Sequence, residues 1–179
     1  MSTENTELLK KYPFIRAYEA NGDPVDDYTF IDGMPRGWRK AFAMQMLEDF
    51  KNAAIEDGID YTDRLELSVI DVKEKYGSLR WYWHTIKDSP HLDRITTLYE
   101  EVASAFCCEC GKHPVMMTTG YILPLCEDCW KEHEATKIAD VGKQFTPVFP
   151  EVVSTRYVDG EAVKEQLPLK ELFDRIVNG

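Results

Sequence analysis

The sequence predicts an α+β fold: amphipathic helices on a small antiparallel sheet, with a compact cysteine-paired module before the C-terminal segment. Three observations predict it. Apolar residues recur at helical spacing over residues 36–57 and 91–106. Residues 64–84 alternate as two strands around a glycine-containing turn. Cys107, Cys110, Cys126 and Cys129 form two C-x2-C pairs separated by fifteen residues. The 179 residues divide into a core, residues 1–106, a cysteine module, 107–135, and a segment, 136–179, that packs back on the core.

The elements follow in chain order. Residues 4–20 read as helix, with Leu8, Leu9, Tyr12 and Ile15 inward and Pro13 as a boundary. Residues 21–35 read as a loop, from Asn21-Gly22-Asp23-Pro24 to Asp32-Gly33-Met34-Pro35. Its Asp23, Asp26, Asp27 and Asp32 lack the spacing and terminal glutamate of a calcium loop, so a solvated acidic loop is expected. Trp38, Phe42, Met46 and Phe50 recur every four residues, which predicts the longest helix over 36–57, stopped by Gly58.

In the hairpin, Leu65, Leu67 and Val69 share one phase and Ile70 and Val72 the other. The turn falls within Lys73–Ser78. Leu79, Trp81 and Trp83 then face the core, and Arg80, Tyr82 and His84 face away. The second helix, 91–106, turns inward Leu92, Ile95, Leu98 or Tyr99, Val102 and Phe106. After the module come an ordered linker, 136–150, a short strand around Val152, Val153 and Tyr157, and a terminal helix from Leu169 to Val177.

The cysteine spacing carries the clearest chemistry. Each C-x2-C turn presents two thiolates to one ion, and two turns close a tetrahedral shell suited to zinc. Gly111 directly after Cys110 suits a tight knuckle. Thr118–Tyr121 reads as a turn between short strands, and Glu127 and Asp128 place acids in the first turn of a helix. Knuckle, hairpin and helix together describe a treble-clef-like zinc finger. Cys108 competes with Cys107 as a ligand, but C-x2-C spacing favours Cys107, leaving Cys108 as a small apolar residue. His113 and His133 are alternative ligands that four cysteines make unnecessary. Two disulfides are the competing reading. The polar start Met1–Asn5 has no apolar stretch of a signal peptide behind it, which favours metal in a reducing, cytoplasmic setting. A four-thiolate zinc has no open position for water, so its expected role is structural.

Composition narrows the function. A hydrophobic share of 44% suits a globular core, and no apolar run is long enough to span a membrane. The net charge is −11, with thirteen of the 32 acids and only seven of the 21 bases in residues 1–63. Such a chain is repelled by nucleic acid unless a local basic patch intervenes. It would suit a basic protein partner, including a nucleic-acid-processing enzyme whose groove expects phosphates. The candidate functional surface is the hairpin turn with Lys73, Lys75, Tyr76, Arg80 and Tyr82, where cations and aromatic rings combine. The competing reading places Tyr76 in the core and pairs the lysines with neighbouring acids.

Enzyme signatures are sparse. There is no Walker A loop, G-x-G-x-x-G, G-x-S-x-G or H-E-x-x-H. An HNH-type nuclease fits poorly. Fifteen residues between the pairs leave little room for its ββα-metal motif, and His113-Pro114 lacks an acidic neighbour.

The segment Val72-Lys73-Glu74-Lys75-Tyr76-Gly77-Ser78-Leu79-Arg80-Trp81-Tyr82, followed by the four cysteines, resembles a group of small phage and prophage proteins. Their shared pattern is roughly K-E-K-(Y/F)-G-x-L-R-aromatic with a zinc ribbon downstream. The match covers residues 36–130. The resemblance implies a phage accessory protein of the bacterial host cytoplasm and brings no catalytic residues with it. The expectation is therefore a non-catalytic protein acting through protein contact, such as an inhibitor of a host nucleic-acid or defence enzyme. The alternative is a nucleic-acid-binding factor using the Lys73–Arg80 hairpin and the finger.

Overall fold

The computed structural model describes residues 3–118, 121–136, 143–144, 151–158, 161–168 and 171. The fold is α+β, as the periodicities predict. Helix α1 (Thr3–Lys11) stops before Pro13, and a 3-10 turn, Pro13–Ile15, leads into strand β1 (Arg16–Tyr18). Strand β2 (Pro24–Thr29) returns antiparallel to β1, pairing Arg16 with Thr29 and Tyr18 with Pro24.

This hairpin corrects the expected helix to residue 20 and loop over 21–35. Most β2 side chains are exposed, so the strand has no apolar alternation to read, and backbone pairing to β1 holds it. Asp32 is likewise not a loose loop acid. Its carboxylate accepts the Thr29 backbone N–H at 2.7 Å in a capping box and pairs with Arg39 at 3.1 Å.

The long helical run is one rod in three parts: α2 (Arg36–Trp38), a π-helical segment (Arg39–Ala43) and α3 (Met44–Glu56). Trp38, Phe42, Met46 and Phe50 are all buried on one side. Helix α4 (Pro90–Val102), continued by a 3-10 turn, Ala103–Ala105, packs beside α3. Both Leu98 and Tyr99 are buried, along with Leu92 and Val102. Asp57, just beyond α3, accepts the backbone N–H groups of His91 and Leu92 at 3.2 and 3.1 Å, capping α4 from another helix.

Strands β3 (Leu67–Lys75) and β4 (Ser78–Thr85) form the central hairpin. The turn is tighter than the sequence suggests. Lys75 pairs with Ser78, and Tyr76 and Gly77 both take positive φ, 56° and 77°, as a two-residue primed turn requires. The ladder slips between Val69 and Asp71. This bulge at Ile70 corrects the expected alternation: Leu67, Val69 and Val72 are all buried, while Ile70 and Leu65 face solvent. Trp81 is buried against Phe50, ring centroids 4.3 Å apart, and Trp83 is half-buried.

Strands β5 (Met116–Met117) and β6 (Pro124–Leu125) pair within the cysteine module, followed by α5 (Glu127–Thr136). Strand β7 (Lys143–Gln144) adds to the free side of β5 and extends this sheet past residue 135. Strands β8 (Glu151–Val158) and β9 (Glu161–Pro168) make a last antiparallel hairpin that includes the expected strand at Val152–Tyr157. Nearly all of the expected terminal helix over 169–177 and of the linker over 136–150 lies outside the described residues.

Candidate metal centre

The chain reaches its cysteines on three pieces of local structure. The knuckle follows the 3-10 turn after α4. The Gly111 N–H donates to Cys107 O at 2.9 Å, the Cys107 N–H to Lys112 O at 2.7 Å, and Gly111 sits at φ 81°. The short β5–β6 ladder then brings the chain back, and the Cys108 N–H donates to Pro124 O at 3.0 Å. Cys126 stands just before α5 and Cys129 in its first turn, where Trp130 N–H donates to Cys126 O. This is the expected order of knuckle, hairpin and helix.

The Sγ atoms of Cys107, Cys110, Cys126 and Cys129 all lie within 4.8 Å of one another, and those of Cys110 and Cys126 are 3.5 Å apart. A tetrahedral ion with metal–sulfur bonds of about 2.3 Å sets its sulfurs about 3.8 Å apart. None of the four is in a disulfide, so the donor set fits a four-thiolate metal site and removes the disulfide reading. Among the described residues these cysteines alone form a group of three or more metal-type side chains. The four loop aspartates form none.

Cys107, not Cys108, completes the set. Cys108 is buried in the main core, where burial pushes its thiol pKa up and keeps it neutral. Burial likewise raises the Cys107 and Cys129 thiols. At Cys110 burial opposes ionisation, but the Lys112 N–H and the surrounding thiols outweigh it and lower the pKa. Thiolates this close to one another repel. A dication at their centre removes that conflict. His113 and His133 are not in the group; the His133 ring lies beside Trp130.

Sequence reading missed how the module is anchored. Gly37, in the first turn of the long rod, donates its N–H to Cys108 O at 2.8 Å. A Cβ on Gly37 would fall 2.7 Å from Cys108 O and Cys110 N, and nearer still to Cys107 O. The knuckle thus lies directly on the rod's backbone. Arg36 Nε donates to the Glu109 carbonyl and pairs with its carboxylate, both at 3.0 Å, and Trp38 Nε1 donates to Phe106 O at 2.9 Å. A glycine inside an otherwise helical pattern was the available signal.

The candidate partner residues lie on a neighbouring surface. Tyr76 is 67% exposed and Tyr82 47%, so neither fills the core. Lys73 pairs with Asp71 and stands over the Tyr82 ring; Lys75 stands over the Tyr76 ring. Arg80 lies 3.8 Å from Glu100. Two of the three cations therefore already face acids, and no basic stripe forms here. The hairpin tip leans on the metal module: Tyr121 Oη donates to Glu74 at 2.7 Å, and Gly77 packs against Met117, Ile122 and Pro124.

No protein-family model, curated protein or solved structure matches the chain. No helix among the described residues is long and apolar enough to cross a membrane.

Proposed function

We propose that the chain is a non-catalytic, phage-type accessory protein of the bacterial cytoplasm that holds structural zinc and acts by protein–protein contact. The observation that carries this reading is the convergence of four cysteine sulfurs, which together would close a metal shell. A saturated shell organises backbone and leaves no position for an activated water. What it organises is the platform under the hairpin tip. The contact surface is the exposed pair Tyr76 and Tyr82 of the hairpin, framed by Lys73 and Lys75. Exposed tyrosines on a rigid support are suited to anchoring a partner.

Phosphate mimicry by the acids of 48–63 draws little support from their placement. Asp57 caps α4, Asp49 accepts from Tyr99 and Gln45, and Glu48 is held by lysines. A basic nucleic-acid or defence enzyme remains the favoured target class, on the acidity of the chain and its phage-like segment.

The test is affinity capture of the zinc-loaded protein from nuclease-treated bacterial lysate, in parallel with Tyr76→Ala/Tyr82→Ala. One protein retained near stoichiometry by the parent and lost by the variant is expected. Retention of nucleic acid alone from untreated lysate would overturn the reading. Zinc itself is tested by elemental analysis of the purified chain, with one equivalent expected and none in Cys126→Ser.

A further inference from the structure

Strand β1, the residues around Tyr61–Arg64 and the start of β3 enclose a cleft of about 60 Å3 that shares no residue with the metal module. Buried Phe14 and Leu67 line its inner side, and the half-buried rings of Tyr18 and Tyr61 stand beside them. Arg16 and Arg64 both line the same cleft.

That pairing is unusual for this chain. Acids outnumber bases 32 to 21, and many cations are matched to acids, among them Lys11 with Glu48, Arg39 with Asp32 and Lys87 with Glu66. Among the described residues, neither Arg16 nor Arg64 forms an ion pair. The nearby Asp60 is committed to its own turn, its Oδ1 accepting from the Thr62 N–H at 2.9 Å and from the Thr62 hydroxyl at 2.6 Å. Arg64 lies 3.8 Å over the centre of the Tyr18 ring. Stacking fixes the plane of a guanidinium and leaves its N–H edge free for an in-plane acceptor. Arg16 and Tyr18, two residues apart on β1, both line the cleft. Two like charges lining one cleft repel, and an anion between them relieves that repulsion.

We propose that this cleft binds a tetrahedral oxyanion of the phosphate class, held between Arg16 and Arg64 with Ser68 as a hydroxyl donor. Size selects the ligand. A water-sized probe occupies roughly 10–15 Å3, so the cleft takes about four to six non-hydrogen atoms. That is a phosphate or a terminal phosphoryl group and is too small for a sugar or a base, which would project outward. Charge selects it too: two guanidinium forks match the several oxygens of a dianion better than a halide. The overall negative charge repels long polyanions, so recognition is of one group rather than of a nucleic-acid backbone. This inference is independent of the metal centre and of the proposed protein contact.

The experiment is calorimetric titration of the metal-loaded full chain with inorganic phosphate at constant low ionic strength and pH about 7.5, where a phosphomonoester is mostly doubly ionised. Adenosine 5′-monophosphate and sodium chloride are run alongside. Saturable 1:1 phosphate binding is expected. Arg16→Gln and Arg64→Gln should each weaken it at least about tenfold, with Arg64→Lys between them and the parent. Equal affinity for phosphate and the nucleotide identifies the free ion as sufficient ligand. Nucleotide binding at least about tenfold tighter identifies a carried phosphoryl group; both support the cleft. The absence of saturable binding up to about 10 mM phosphate, or unchanged binding in a folded Arg16→Gln/Arg64→Gln double variant, overturns the proposal. Amide chemical shifts of the parent decide the case if the double variant fails to fold. Phosphate-dependent changes confined to residues 16–18 and 61–68 support the site; changes elsewhere overturn it.

Discussion

Gly37→Ala tests the anchoring of the metal module most directly. On a free helix surface this exchange stabilises by about 0.5–1 kcal/mol, because alanine loses less backbone entropy than glycine. Here the added Cβ meets the knuckle at 2.7 Å from Cys108 O and Cys110 N, where real Cβ atoms essentially never come within 3.0 Å. The obstacles are backbone atoms held by the Gly111–Cys107 and Cys107–Lys112 hydrogen bonds, so they cannot swing aside as a side-chain tip would. Overpacking costs about 1–3 kcal/mol, and stretching the Gly37–Cys108 hydrogen bond costs about 1 kcal/mol more. After the propensity gain of about 0.5–1 kcal/mol, a net loss of about 1–3.5 kcal/mol remains. For a chain of this size each kcal/mol moves Tm by about 2–4 °C, so the melting temperature should fall by about 2–14 °C. The sulfurs ride on the displaced knuckle, so metal retention against a chromophoric chelator should weaken at least about tenfold. A variant that melts at or above the parent temperature with undiminished metal affinity would refute the close-packing argument.

Four further outcomes are expected. Cys107→Ser should lose the metal and unfold its module, because structural zinc contributes about 10 kcal/mol or more of apparent binding energy in isolated fingers. Cys108→Ala should keep one metal equivalent and cost only about 1–2 kcal/mol of core packing by denaturant titration. Burial opposes the Glu48 carboxylate, but hydrogen bonds from Lys51, Lys11 and Tyr12 outweigh it and hold its pKa at about 2, below the ordinary 4.5. The native state therefore binds fewer protons there than the unfolded chain. The stability lost in Glu48→Gln should be full above pH 5, shrink as pH falls from about 5 towards 2, and be absent below; a pH-independent difference would count against the pairing. Asp57→Ala strips two N–H acceptors from the start of α4 and should cost about 1–3 kcal/mol in urea unfolding, against less than about 0.5 for a neighbouring exposed acid.

Local physics made much of this protein readable without coordinates. A four-residue apolar step can only bury its side chains as a helix, so Trp38, Phe42, Met46 and Phe50 announced the central rod. Two C-x2-C pairs announced four ligands and the order of knuckle, hairpin and helix, because thiolate spacing within a turn is set by a few residues of backbone. The hairpin was legible for the same reason, but its turn was placed too broadly and its alternation failed at Ile70. A bulge is a property of the pairing between two strands, and neither strand carries it alone.

Tertiary structure decided the rest. Strand β2 has almost no apolar face and exists because β1 pairs with it. Cys107 was separated from Cys108 by which sulfur reaches the other pair and which packs into the core. Gly37 mattered only once a knuckle seventy residues later rested on its backbone. Nothing local pairs Asp49 with Tyr99 or Asp57 with the start of α4; the packed helices bring them together. The meeting of Arg16 with Arg64 likewise belongs to no local pattern. Periodicity and ligand spacing are short-range properties of a chain and survive in its sequence. Close backbone approach, ladder slips and charge pairing join residues far apart, and only the packed fold brings them together.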